Sequence, residues 1–343
     1  MKKQQLIIVF LMALLLMAGC SGAAETEPAV IPPSTTEMQS SSAGMAPDLI
    51  TEPDEKSGAE MPSEPDEKSG AGLPSESGAA SGASTAPEPI AGNTQPVNAF
   101  SLEVTLNDSE HKLAVTQKLT YYNNTGTELT EIYFNMIPVA FETDGGGIQM
   151  GNILIAGQTC QMTQVQGTVY KLGLPSTLKA DEKLEIQMDY DVSIPNIQNR
   201  FGYQESVFNL GNFIITPAVY TGNGWAQQPY VDLGDAFFTD IADYDVKINV
   251  PEGYTVAATG RETEPGSGLY HAENVRDFVF CASASYETIS AEYGGVSITV
   301  YYNDDMSKTA ARVMDTAKKS LDLCSEKFGE YPYDTLSLVM NGL

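Results

Sequence analysis

Leu184-Glu185-Ile186-Gln187-Met188-Asp189-Tyr190-Asp191-Val192-Ser193-Ile194 is the stretch on which the fold turns. Apolar and polar residues alternate through all of it, so a strand with period two puts Leu184, Ile186, Met188, Tyr190, Val192 and Ile194 on one face and the acids and amides on the other. No helical spacing fits this pattern. One face packed and one face wet is the behaviour of an antiparallel sheet.

The same alternation recurs on either side. Phe100, Leu102, Val104 and Leu106 alternate with Ser101, Glu103 and Thr105, and Leu113, Val115, Leu119 and Tyr121 follow, with Gln117 out of place among them. Ile132, Phe134 and Met136 alternate up to Pro138. Residues 244–250 read as another strand, closed by Pro251-Glu252-Gly253, and Val296, Ile298, Val300 and Tyr302 as a further one. Asn123-Asn124-Thr125-Gly126 is turn chemistry. Residues 98–302 are therefore expected to form a mainly β domain, a large antiparallel β-sandwich or saddle.

At residue 303 the period changes. Asn303-Asp304-Asp305 is a helix-start signal, with acids placed to suit the dipole. Met306, Ala310, Val313, Ala317, Leu321, Cys324 and Phe328 then make one apolar stripe along a helix of about 24 residues. Gly329 and Pro332 end it, and Thr335-Leu336-Ser337-Leu338-Val339-Met340 reads as a strand. One helix and one strand cannot make a core. Residues 303–343 must either dock on the β-domain or begin a domain that the chain does not complete, and the second is the expectation.

Upstream the composition is different. Lys2 and Lys3 precede an unbroken apolar run over residues 6–18, too short to span a bilayer but right for a secretory signal. It ends Leu16-Met17-Ala18-Gly19-Cys20, which resembles a bacterial lipoprotein lipobox. That resemblance implies a signal peptide over residues 1–19, lipid on Cys20, and an extracytoplasmic chain anchored to a bacterial cell membrane. Residues 20–97 lack Phe, Tyr and Trp and are rich in Pro, Ser, Gly and Glu; Glu52-Pro53-Asp54-Glu55-Lys56-Ser57-Gly58-Ala59 recurs at residues 64–71. Such a segment cannot offset its chain entropy by burial. It reads as a disordered acidic tether, reaching roughly 50 Å as a flexible coil.

With 45 acidic and 18 basic residues the net charge is −27, which argues against nucleic-acid partners. Only two histidines are present, His111 among strand residues and His271 in a turn-rich segment, and neither has a partner at ligand spacing. Cys160, Cys281 and Cys324 are scattered and read as buried apolar thiols. No catalytic residue and no metal ligand is assigned. The one candidate domain-contact or ligand loop is residues 220–230, where Tyr220, Trp225 and Tyr230 stand among glycines and amides. Its rings could stack on a sugar, but a loop pinned to the sheet or to a neighbouring domain is the plainer reading.

Three blocks, in order, carry a resemblance. The first is Asn209-Leu210-Gly211-Asn212-Phe213 with Pro217-Ala218-Val219-Tyr220 and Gly224-Trp225. The second is Phe237-Phe238-Thr239-Asp240-Ile241-Ala242-Asp243-Tyr244-Asp245-Val246 with Val250-Pro251-Glu252-Gly253-Tyr254-Thr255-Val256-Ala257-Ala258-Thr259-Gly260. The third is the helix ending Phe328-Gly329-Glu330-Tyr331-Pro332-Tyr333 and the strand after it. Over residues 98–343 the chain resembles the N-terminal half of the aminopeptidase N (membrane alanyl aminopeptidase) family of zinc metallopeptidases. The resemblance implies a saddle-like β-domain followed by a thermolysin-like catalytic domain, of which 303–343 would be the start. In a full-length member, a Gly-x-Met-Glu-Asn-type segment and a His-Glu-x-x-His helix hold the peptide substrate and zinc, and zinc activates the attacking water. Neither motif occurs in this chain, so the resemblance carries no catalytic residue onto it and implies inactivity without the missing catalytic domain. The alternative is a non-enzymatic lipoprotein whose β-sandwich is a binding or adhesion module.

Overall fold

The computed structural model describes residues 96–234, 237–303 and 306–341. The signal segment, Cys20 and almost all of the tether lie outside the described residues.

The largest element is an eight-stranded sheet in the order Arg261–Glu262, Leu269–Val275, Ala242–Asn249, Asn98–Asn107, Lys112–Tyr122, Lys183–Ser193, Gly147–Ile155, Gln158–Cys160. Its long strands alternate buried and exposed residues almost without a break, as Lys183–Ser193 does. The buried face packs with two four-stranded sheets. One is Thr255–Ala258, Phe280–Ser283, Val207–Leu210 and Phe201–Gln204; the other is Thr216–Pro217, Leu129–Asn135, Val169–Leu178 and Met162–Gln166. Side chains of all three sheets, among them Val104, Leu119, Ile132, Phe134, Ile186, Val246 and Phe280, form one apolar core. The mainly β expectation holds, in two packed layers.

One pairing departs from it. Asn98–Asn107 runs parallel to Ala242–Asn249, register Asn98 to Ala242, in the middle of an otherwise antiparallel sheet. Alternation reports which face is wet, not strand direction, so the sequence could not distinguish this. Gln117, the misfit of its strand, is fully buried: its Nε2 donates to the Ile215 carbonyl at 2.8 Å and its Oε1 accepts from the Tyr190 hydroxyl at 2.6 Å. A buried polar side chain is tolerable because these bonds satisfy it.

The end of the described chain forms a second, smaller core. Glu287–Tyr293 and Val296–Tyr302 make an antiparallel hairpin, turning at Gly294 and Gly295, both at positive φ. Thr335–Met340 joins Val296–Tyr302 in parallel, and the helix Ser307–Phe328 crosses between them. Val296, Ile298, Val300 and Tyr302 pack on Ala310, Met314, Ala317 and Leu321. Residues 296–302 share the core of the helix. The helix and the last strand have a core because this hairpin supplies the layer that they lack alone. The apolar stripe departs from its expectation. The buried stripe runs through Met314, whereas Val313 and Cys324 are half-buried and Met306 and Phe328 exposed. The helix also begins at Ser307, after Met306, with no side-chain cap; Asp304 and Asp305 are outside the described residues.

Candidate functional site

The turn after Val207–Leu210 begins a polar cluster. Gly211 N–H donates to the Arg200 carbonyl at 2.9 Å, and Asn212 sits in the left-handed region at φ 61°, which asparagine tolerates better than most residues. Asn212 Nδ2 donates to Asp277 Oδ2 at 3.4 Å. Its Oδ1 is closed off from solvent and has no hydrogen-bond partner among the described residues. Asp277 Oδ1 accepts from the Phe278 N–H at 2.8 Å. Burial pushes the Asp277 carboxyl up to about 6, against the pull of the Phe278 N–H and of the positive charge of Arg200.

Neighbouring segments complete the walls. Arg276 Nη1 donates to the Thr239 carbonyl at 2.5 Å, and the Thr239 hydroxyl donates to the Arg276 carbonyl at 2.8 Å. The Arg200 guanidinium lies 4.5 Å over the Phe237 ring. Asn212, Thr216, Gln228, Phe238, Thr239 and Asp277 line a narrow cleft with about 40 Å³ of free volume. Of these, Asn212, Phe238 and Thr239 belong to the quoted blocks, but Asp277 was missed. Its only sequence signal is an Arg-Asp pair just before a buried Phe-x-Phe, which is ordinary strand-edge chemistry.

The loop over residues 220–230 is fastened to the sandwich. Tyr220 pairs with Trp225 across a two-residue turn, their rings edge to face at 5.1 Å, and Trp225 packs 5.8 Å from Tyr133. Tyr230 lies 5.4 Å from Phe141, its N–H bonds Thr168 Oγ1 at 2.8 Å, and Gln166 Nε2 donates to the Gln227 carbonyl at 2.5 Å. All three rings are half-buried against the core. A broader hollow of about 430 Å³ is lined by amides, Tyr203 and Glu205, with no nucleophile and base in reach of one another.

A catalytic zinc needs at least three His, Cys, Asp or Glu donors around one point. No such group exists among the described residues. His111 stands in the turn before Lys112–Tyr122 at φ 53°, its ring stacked on Tyr203 with centroids 3.8 Å apart. His271 belongs to the strand Leu269–Val275, not to a turn, with Nδ1 2.7 Å from Asp245 and Nε2 3.1 Å from Glu273. The described residues do not fit a catalytic zinc. Cys160, Cys281 and Cys324 are free thiols, each half-buried.

The three sequence blocks meet at one seam. Asn209, from the first, accepts from Asn341 Nδ2 through its Oδ1, and the Tyr286 hydroxyl donates to Asn341 Oδ1 at 2.8 Å. Gly260, which closes the second, accepts at its carbonyl from Thr335 Oγ1 at 2.9 Å. Arg261 pairs with Asp334 at 3.3 Å, and the Tyr333 hydroxyl donates to the Asn274 carbonyl at 3.0 Å. Gly260 is at φ 79°, and a Cβ there would sit 2.2 Å from the His271 carbonyl oxygen, so only glycine fits the seam at this point.

The fold is thus a β-sandwich with a small α/β layer sewn to its edge. No protein-family model matches the chain, and no curated protein matches it. Its structural neighbours are zinc metallopeptidases of the M1 type and aminopeptidase N family members, at low identity. The M1 zinc metallopeptidase of Deinococcus radiodurans is 17% identical with a TM-score of 0.49, the match covering 72% of this chain and 57% of that one. An aminopeptidase N family protein of Idiomarina loihiensis is 15% identical with a TM-score of 0.43, covering 69% and 38%. The match therefore spans less than two thirds of the length of either.

Proposed function

We propose that the chain is the N-terminal part of a zinc metallopeptidase of the aminopeptidase N type, held at a bacterial cell surface by lipid on Cys20 and spaced from it by the tether. The β-sandwich forms one wall of the substrate cleft, and residues 303–343 open a thermolysin-like catalytic domain. Zinc and the hydrolytic groups belong to a segment beyond Asn341. No described residue is given a catalytic role.

The seam is the observation that carries this reading. Blocks that lie far apart in sequence, and that together resemble one family, are hydrogen-bonded to one another at Asn209–Asn341 and Gly260–Thr335. A catalytic segment continuing from Asn341 starts beside Asn209, in the strand Val207–Leu210. Surface exposure supports the same reading. Thr335–Met340 is paired on one side only among the described residues, and Leu323 and Phe328 are 56% and 46% exposed on the helix. Exposed large apolar side chains and an open strand edge each suit a further layer.

The gene downstream of codon 343 tests the proposal. An open frame encoding His-Glu-x-x-His, and an extended protein that binds one zinc and hydrolyses an aminoacyl-anilide, are the expected results. The 343-residue chain alone is expected to do neither. A stop codon with no such motif, or an extended protein free of zinc, overturns it. Radiolabelled palmitate should enter the wild-type protein and be lost in Cys20→Ala.

A further inference from the structure

We infer that the hollow at the hairpin of Phe201–Gln204 and Val207–Leu210 is a binding site for a neutral pyranose sugar. Its walls are tied together. The Tyr203 and Ile197 N–H groups both donate to the Pro195 carbonyl at 3.0 Å, and Gln198 Nε2 donates to Gln204 Oε1 at 2.6 Å, so the loop over 195–198 is fastened to the hairpin. A Cβ on Gly202 would sit 2.3 Å from the Ile197 carbonyl oxygen, so the loop can lie this close only against glycine. The His111 ring, stacked on Tyr203, steadies that side chain. Polar capacity is left over between these walls. The Asn196 amide, Gln198 Oε1, the Tyr203 hydroxyl, Gln204 Nε2, the Glu205 carboxylate and Asn303 Nδ2 belong to lining residues and have no hydrogen-bond partner among the described residues. Glu205 stands at φ 51° in the two-residue turn of the hairpin, where glycine, asparagine or aspartate is ordinary and glutamate is not. Such an outlier points to a use for its side chain.

What fits must donate and accept in several directions and carry no strong charge. The amides and the hydroxyl offer both kinds of partner, and the carboxylate accepts. An anion would meet Glu205 and find no lysine or arginine in the lining. A metal cation would meet one carboxylate where it needs a full set of oxygen ligands. An apolar molecule would strand the free amides. A peptide adding as a strand needs an open edge, and the Tyr203 N–H on the edge strand Phe201–Gln204 is already taken by Pro195. A pyranose carries hydroxyls that each donate and accept around its rim, and C–H faces that suit Ile197 and Val207, which also line the hollow. The free volume of about 430 Å³ falls among small-molecule sites, which span about 300–1,000 Å³. The site is complete within the described residues and needs no peptidase activity.

Saturation-transfer NMR with the full chain tests it. The probes are methyl glucoside, methyl galactoside, methyl mannoside and N-acetylglucosamine, with glycerol and triglycine as controls. Saturable transfer to at least one of the sugars, and to neither control, is the expected result. The disaccharide of the sugar that binds separates two sources: tighter binding than the single ring marks a glycan chain, equal binding a free sugar. Glu205→Gly relieves the left-handed backbone and removes the carboxylate. It should raise the urea midpoint yet weaken sugar binding about tenfold or more, as loss of a hydrogen bond to a charged group requires. A purely structural turn residue would give the first effect without the second. Gln204→Ala, which removes a neutral donor, should weaken binding about fivefold. Absence of saturable transfer to all of the sugars, equal transfer to triglycine, or unchanged affinity in Glu205→Gly leaves a solvated hollow and overturns the inference.

Discussion

The sandwich and the terminal layer obey the same alternation rule and differ in how completely they close. In the sandwich, a sheet of eight strands is faced by two of four, and side chains such as Leu119, Ile132 and Phe134 are wholly removed from solvent. In the terminal layer, three strands are covered by one helix, and every residue of Thr335–Met340 remains half-exposed. Burial scales with the number of covered faces, and so does the free energy of opening a segment. The terminal layer is the part whose amides should exchange first, held by the seam more than by its own core.

The largest test of that difference is a pair of core truncations. Phe134→Ala should cost about 3–5 kcal/mol and lower the global urea midpoint, while Leu321→Ala should cost about 2 kcal/mol. In hydrogen exchange, Leu321→Ala should speed the amides of Thr335–Met340 and leave Lys183–Ser193 unchanged; equal acceleration of both would make the two cores one cooperative unit.

Asp277 supplies the next test, confined to the sandwich. Its folded value of about 6 lies above the unfolded carboxylate value. The folded state therefore binds this proton more tightly, and its contribution is lost as pH rises from about 4 through about 6, by about 3 kcal/mol. The difference between wild type and Asp277→Asn in urea midpoints across that window isolates it. A flat difference would mean that the carboxyl is ionised in the fold at no cost.

Asn341→Ala probes the seam. Loss of the bonds to Asn209 and Tyr286 should cost about 1 kcal/mol, read as faster exchange in Thr335–Met340 alone. His271 gives the smallest effect. Its hydrogen bonds to Asp245 and then Glu273 raise its value above that of a free imidazole. The gain is whole below about pH 6.5 and fades as pH rises through the folded value. At a surface site it should stay under about 1 kcal/mol and vanish in His271→Gln, as thermal melts at pH 5.5 and 8.5 would record.

Period-two alternation made most of this fold legible. The strands around Leu102, Leu119, Phe134 and Ile186 declare themselves because each has one wet face. Direction and partnership are less visible, since they are set by neighbours distant in sequence: nothing local distinguishes the parallel register of Asn98 with Ala242, or assigns Val296–Tyr302 to the helix rather than to the sandwich. The cleft was the least legible part. Asn212 and Asp277 are 65 residues apart, each unremarkable where it stands, and only the packing of two loops makes one an unsatisfied acceptor and the other a reluctant acid. Gln117 was legible in reverse, a polar misfit in a strand that proved to be a buried hydrogen-bonding post.

The central parallel pair also dictates an order of events. As the polypeptide is synthesised from its N-terminus, Asn98–Asn107 can zip to Lys112–Tyr122 at once, but its other edge must wait until residue 249 has emerged. Until then a long apolar ribbon stands open in the middle of the future sheet. Nucleation across so wide a loop is slow and invites mispairing between chains. A pulse-labelling experiment should find the strand Ala242–Asn249 protected last among the long strands of the sandwich.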